Sequence, residues 1–147
     1  LKYFILKVDP KKRILFNPEE SIDLSGNTGP FIQYTYARIQ SILNKIEKIE
    51  TTMISEYKLN EKEKETIKSI NRYNHILKEA KDELSPAIIC NYLYDLVKTF
   101  NSLYQNHNIL NAETPDSIII RTQISSLTSK VILNITDLLG IELPDRM

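Results

Sequence analysis

The sequence predicts an all-α protein: an antiparallel helical bundle preceded by a short α/β remnant. Three observations carry that prediction. Glycine occurs only at positions 26, 29 and 140 of 147, too seldom for a β fold built on tight turns. Apolar residues recur at steps of three and four over long stretches, the period of one helix face. Two of those stretches open with a hydroxyl residue followed by proline, Ser85-Pro86 and Thr114-Pro115, which is the chemistry of a helix start.

The first 25 residues read as the least helical part, because Pro10 and Pro18 punctuate them. A helix remnant is expected at 1–7 and a short extended segment near 13–16, too short to be stable alone. These residues are therefore either the edge of another domain whose partners lie elsewhere or a segment folded back on the helices. From Pro30, suited to a first helical turn because its missing N–H would be unpaired there, Ile32, Tyr36, Ile39, Leu43, Ile46, Ile49 and Met53 mark one face of a long helix. Shorter helices are predicted at 61–71 and 73–83, with narrow stripes at Ile67 and Ile70, then Ile76, Leu77, Ala80 and Leu84. The alternating Glu and Lys of 61–65 read as a solvated surface. The helices from Ser85 and Thr114 carry apolar faces wide enough for a bundle core, and Gly140 supplies a C-terminal cap.

Composition narrows the function. At 41% apolar and 26% charged, the chain has the balance of one soluble globular domain, and no apolar run approaches the roughly 20 residues that cross a bilayer. Nineteen basic and nineteen acidic residues cancel, which on its own leans away from a protein held to nucleic acid by phosphate neutralisation. A single cysteine, Cys90, fits a reducing, cytoplasmic compartment and reads as an inert, partly buried thiol. His75 and His107 lack metal-ligand spacing to each other or to Cys90, so no metal site is expected. No phosphate-binding glycine loop is present, and no catalytic constellation is recognisable. The first residue is Leu1, and the chain reads as an excised piece of something longer.

The run Gly26-Asn27-Thr28-Gly29-Pro30-Phe31-Ile32-Gln33-Tyr34-Thr35-Tyr36-Ala37-Arg38-Ile39 resembles the block in arginyl-tRNA synthetases that ends the catalytic domain and opens the helix into the anticodon-binding domain. Upstream, Leu1-Lys2-Tyr3-Phe4 and the stretch from Asp9-Pro10 to Phe16-Asn17-Pro18 resemble that family's last catalytic-domain helix and strand. Downstream, Leu84-Ser85-Pro86, then Asn91-Tyr92-Leu93-Tyr94-Asp95-Leu96 and Phe100-Asn101-Ser102-Leu103-Tyr104, resemble its central anticodon-domain helix. The ending from Leu138-Leu139-Gly140 to Asp145-Arg146-Met147 resembles its C-terminus. The resemblance implies a catalytic-domain edge at 1–27 and a helical anticodon-binding domain at 28–147. It also implies a monomeric, cytoplasmic parent that ligates L-arginine to tRNA(Arg) with ATP and Mg2+, and no membrane partner.

The His-x-Gly-His and Lys-Met-Ser-Lys-Ser types of motif, by which class I synthetases stabilise the transferring phosphate, do not occur in these 147 residues. Such chemistry depends on groups pre-positioned around the phosphate, so the chain alone is expected to be catalytically inactive and to bind no cofactor. The resemblance places Gln33, Tyr34 and Asn27 beside the arginine and ATP pocket of the parent. It places anticodon contacts at Tyr104, Asn101 and Met147, with Tyr92, Asn91 and Arg146 as further candidates. Loop bases are read by stacking on aromatic faces and by hydrogen bonds to their edges, which suits tyrosine and asparagine on a helix surface. Phe100 and Tyr92 lie inside the apolar stripe, where core packing is the competing reading. On this view a neutral chain reads bases rather than phosphates and binds tRNA weakly, on the order of 10⁻⁴ to 10⁻⁶ M. A helical protein-interaction domain is the alternative from another functional class.

Overall fold

A computed structural model of the chain describes residues 1–46 and 56–144. Ile49, Met53, Arg146 and Met147 lie outside the described residues. Within them the secondary structure is entirely helical: α1 (Lys2–Leu6), α2 (Pro18–Ser21), α3 (Gly29–Leu43), α4 (Glu61–Asn71), α5 (Tyr73–Asp82), α6 (Pro86–Asn106) and α7 (Pro115–Leu139). The short helix α2 was not expected. It forms because Asn17 accepts from the N–H groups of Glu19 and Glu20 while Pro18 occupies the first turn.

Helix α6 is the axis of the bundle and packs against α1, α3, α4, α5 and α7. Its Leu93, Leu96, Val97, Phe100 and Leu103 are wholly buried, as are Ile39 of α3 and Ile132 and Ile135 of α7. Burying each such side chain stabilises the fold by about 1.5–3 kcal/mol before chain entropy is set against it.

The helix starts follow local chemistry. Thr114 caps α7 in a reciprocal arrangement with Ser117, and Thr28 accepts from the Phe31 N–H at the start of α3. Ser85 precedes Pro86 as predicted, but its side chain makes no capping bond. At the far end of α7, Gly140 takes the left-handed conformation, with φ of 63°.

Three expectations are corrected. The long helix from Pro30 ends at Leu43; Asn44 to Ile46 form a tightened turn in which Lys45 and Ile46 donate three residues back, and Ile46 still packs on the core from there. The extended segment at 13–16 is exposed and forms no strand, so the α/β remnant is absent among the described residues; no second strand is present there to complete its backbone hydrogen bonds. The alternating charges of 61–65 are not all solvated, because Glu63 is wholly buried.

At the N-terminus, α1 packs against α6. Tyr3 and Phe4 are buried. The Tyr3 hydroxyl shares its single proton between Asn27 Oδ1 at 2.7 Å and the Cys90 carbonyl at 2.9 Å. Lys7 donates to the Asn27 carbonyl, and Lys2 to that of Gly140. Residues 11–20 remain exposed throughout.

Candidate nucleic-acid interface

Helix α3 carries Tyr34 and Arg38 one turn apart, and α6 carries Asn101 and Tyr104 three apart, so each pair shares a face. Where the two helices meet, the Arg38 guanidinium carbon lies 4.8 Å from the centroid of the Tyr34 ring and 4.8 Å from that of Tyr104. Contact of a guanidinium with an aromatic face is electrostatically favourable, worth about 0.5–1 kcal/mol at an exposed site.

A polar chain fixes the arginine between the rings. Arg38 Nη1 donates to Asn101 Oδ1 at 2.8 Å, Asn101 Nδ2 donates to Thr35 Oγ1 at 2.9 Å, and the Thr35 hydroxyl donates to the Phe31 carbonyl at 3.0 Å. A guanidinium only donates, so the orientation of the Asn101 amide follows from the chemistry of its neighbour. Tyr34 and Tyr104 themselves stay exposed, at 42% and 39%.

Beside this stack runs an open cleft of about 450 Å³. Phe31, Tyr34 and Arg38 line one side and Lys98, Asn101 and Gln105 the other; no carboxylate lines it. Both of its charged groups are cations, in a chain whose net charge is zero.

The predicted site residues separate. Tyr104 stands at the exposed end of α6. Asn101 is buried, with both ends of its amide engaged by Arg38 and Thr35, so it supports the surface rather than forming it. Tyr92 is a core residue: its hydroxyl donates to the Ser69 carbonyl at 2.9 Å, its ring stacks on Tyr73, and burial pushes its phenol up to about 12. Asn91 is exposed and accepts from Asn27 Nδ2 at 3.3 Å. Gln33, Tyr34 and Asn27 do not share one pocket. Gln33 donates to the Glu142 carbonyl at 2.7 Å and faces a depression shared with Lys2, Gly29 and Gly140. Tyr34, the next residue along the helix, turns into the Arg38 cleft. Asn27 lies under the start of α6, held by Tyr3 and Asn91.

Sequence reasoning missed Arg38 and Lys98. The spacing from Tyr34 to Arg38 is a usable signal for a cation on an aromatic face. Nothing local to α6 announces that Tyr104 closes the other side.

Fold and site define a helical-bundle class of domain, with exposed tyrosines braced on an arginine where α3 meets α6. Residues 32–147 match the family described as the DALR anticodon binding domain, and the chain belongs to that family. Its likeness within that class is to arginine–tRNA ligases. It is 55% identical over 147 residues to the arginine–tRNA ligase of Flavobacterium psychrophilum and 48% identical over 151 residues to that of Parabacteroides distasonis. All of this chain is covered in both cases, against 24% and 25% of those proteins, so the chain spans about a quarter of the length of the curated relatives it matches. Among solved structures, the Thermus thermophilus arginyl-tRNA synthetase superposes with a TM-score of 0.91 at 27% identity, over 99% of this chain and 26% of that one. The Plasmodium falciparum arginyl-tRNA synthetase superposes with a TM-score of 0.84 at 26% identity, over the same shares of the two chains.

Proposed function

We propose that this chain recognises the anticodon region of tRNA(Arg) as the C-terminal part of an arginine–tRNA ligase. The observation that carries the reading is Tyr104, an exposed ring at the end of α6 whose one face rests on Arg38. Among the described residues no ring or cation contact covers its other face, and such a face accepts an unstacked base. Asn91 is a second candidate on the surface of α6, and Met147 and Arg146 are candidates at the C-terminus. Asn101 acts in this scheme through Arg38 and Tyr104.

The complete ligase would join L-arginine to tRNA(Arg) with ATP and Mg2+, in the cytoplasm and as a monomer. Residues 1–27 would be the edge of its catalytic domain and 28–147 its anticodon domain. Exposed apolar side chains at Leu15, Ile22 and Leu24, 92%, 68% and 58% accessible, support contact between residues 1–27 and further protein. Gln33, in its depression at that same end of the molecule, would border the substrate pocket.

Filter binding with tRNA(Arg) and an anticodon-substituted tRNA(Arg) tests the proposal. Retention of the cognate tRNA several-fold above the substituted one is expected, and equal retention of both overturns it. Pyrophosphate exchange with ATP and arginine should stay at background for the chain alone; exchange above background would place catalytic groups within these residues.

A further inference from the structure

We infer that Arg121, two turns into α7, is a positioning residue for Tyr104: it holds in place the end of α6 that presents the exposed ring. The assignment rests on the anticodon-region reading of Tyr104 given above and adds to it a buried side chain on a different helix.

The end of α6 needs such a support. Tyr104 lies in the last turn of the helix, which ends at Asn106. The cap residue His107 is extended, at φ of −140°, and its N–H donates to the Leu103 carbonyl. Helix α7, by contrast, closes on the left-handed Gly140. A helix end without that closure opens at little cost in free energy. A ring that stacks on a base from an opening turn has to be ordered at each binding event, which subtracts from affinity.

Arg121 closes the turn from outside the helix. Its Nη1 donates at 2.7 Å to the carbonyl of Asn108, two residues past the end of α6, and its Nη2 pairs at 2.9 Å with Glu113, immediately before the cap of α7. One guanidinium therefore spans both ends of the connection between the two helices. Its Nε is anchored on Glu63 Oε1, and Glu63 is held in turn by the Tyr57 hydroxyl and the Asn60 N–H. Each nitrogen of the planar fork thus faces an acceptor on a different stretch of chain, which fixes direction as well as distance. Stability alone does not account for the pair, because well-packed apolar residues of similar volume are commonly at least as stable as a buried ion pair. What an apolar pair cannot do is hold three stretches of chain in one register, and one of these continues directly from the turn that carries Tyr104.

The test uses two variants of the chain. Glu63→Leu with Arg121→Met keeps the volume and removes the fork, while Glu113→Ala removes one arm at a side chain 66% exposed. Each is unfolded in urea and titrated with a synthetic anticodon stem-loop of tRNA(Arg), cognate or anticodon-substituted. Both should unfold cooperatively. The double variant should bind the cognate stem-loop about five-fold more weakly, the size of an ordering cost at an interface, with little change for the substituted one. Glu113→Ala should lose about two-fold by the same route. Amide exchange at residues 104–107 should quicken in both without RNA. Once Tyr104→Leu is present, neither should lower cognate affinity further.

If the unsubstituted chain fails to distinguish the two stem-loops, the anticodon reading falls and this role of Arg121 with it. If it distinguishes them and Tyr104→Leu abolishes the distinction, but the folded double variant binds as the unsubstituted chain does, the anticodon reading stands and the positioning role alone is overturned. Losses that persist undiminished beside Tyr104→Leu overturn it as well. Should the double variant not fold, Glu113→Ala decides together with Arg121→Lys, which keeps a cation opposite Glu63 without the planar fork. Unchanged cognate affinity in both, with unchanged exchange at 104–107, then overturns the role.

Discussion

Arg121 Nε donates to Glu63 Oε1 at 2.8 Å, with side chains only 4% and 0% exposed. The contact ties α7 to the first turn of α4, and both partners are otherwise engaged. Glu63 Oε1 also accepts from the Tyr57 hydroxyl, and its Oε2 accepts from the Asn60 N–H that opens α4. Arg121 also donates to the Asn108 carbonyl and pairs with Glu113, so it fixes the connection between α6 and α7. Two charges removed from water are tolerated here because nearly every donor and acceptor has a partner.

The losses on removing each member alone should therefore sum to more than the loss on removing both. Glu63→Leu leaves the guanidinium facing an apolar group and is expected to destabilise by about 3 kcal/mol or more. The double variant Glu63→Leu with Arg121→Met should lose clearly less than the sum of the two single variants. Urea unfolding midpoints of the four proteins measure this coupling, and strict additivity would show that the pair does not act as a unit.

Alkaline pH should unfold the chain through buried acids. Burial raises the Tyr3 phenol well above its usual value, the Cys90 thiol to about 12 and the Tyr92 phenol to about 12. Each group stays neutral in the folded state at a pH where the unfolded chain would ionise. Its contribution is thus complete below the unfolded values of 9 to 10 and is lost as pH rises through the folded ones. Melting temperature is expected to hold near neutral pH and to fall from about pH 9 upward. Cys90 should react with a thiol reagent at pH 8 only at the rate of unfolding, because the thiolate is the nucleophile; immediate labelling of the native protein would contradict its burial.

How much was legible in the sequence depended on whether the signal was local. The starts of α3, α6 and α7 were legible because a proline in the first turn, joined at α7 by the capping Thr114 hydroxyl, acts within one turn of the chain. The core face of α6 was legible because period alone determines which side is buried. Glu63 was not. Its neighbours Glu61, Lys62, Lys64 and Glu65 do form the solvated pairs that alternation suggests, and only the arrival of Arg121, 58 positions later in the chain, distinguishes Glu63 from them. The end of α3 was missed for a related reason: Ile46 continues the apolar period while the backbone has already left the helix. At the candidate site, Tyr104 could be chosen from its place at the helix end. Asn101 could not be told from a surface amide until Thr35 and Arg38 were seen to occupy it.

Leu84 and Gly140 end their helices in the same way with opposite residue choices. At Leu84, φ is 50°; its N–H donates to the Lys81 carbonyl and that of Ser85 to the Ala80 carbonyl. Gly140 and Ile141 make the matching pair of bonds to Asp137 and Thr136. Leucine bears a left-handed penalty that glycine escapes, and at 83% exposure its side chain recovers little from packing. Leu84→Gly should stabilise by about 0.5–1 kcal/mol after the entropy cost of glycine. Gly140→Ala should destabilise by about 1–2 kcal/mol, since its Cβ would also come within 3.1 Å of Lys2 Nζ. Thermal melts of the two variants should move in opposite directions.

Tyr104 and Asn101 should both affect RNA discrimination, by different routes. Tyr104→Phe keeps the ring on Arg38 and is expected to bind as the unsubstituted chain does, because the stack and not the hydroxyl carries the proposed contact. Tyr104→Leu removes the plane and should lose about 1–3 kcal/mol of affinity for the cognate stem-loop, with little change for an anticodon-substituted one. Asn101→Ala leaves both rings in place but releases Arg38 from the bond that orients it. It should lower cognate affinity by a smaller factor and add nothing once Tyr104→Leu is present. Isothermal titration across this double-mutant cycle separates the two routes. Independent, additive losses would mean that Asn101 touches the RNA itself and that the arginine stack is not what orders the tyrosine.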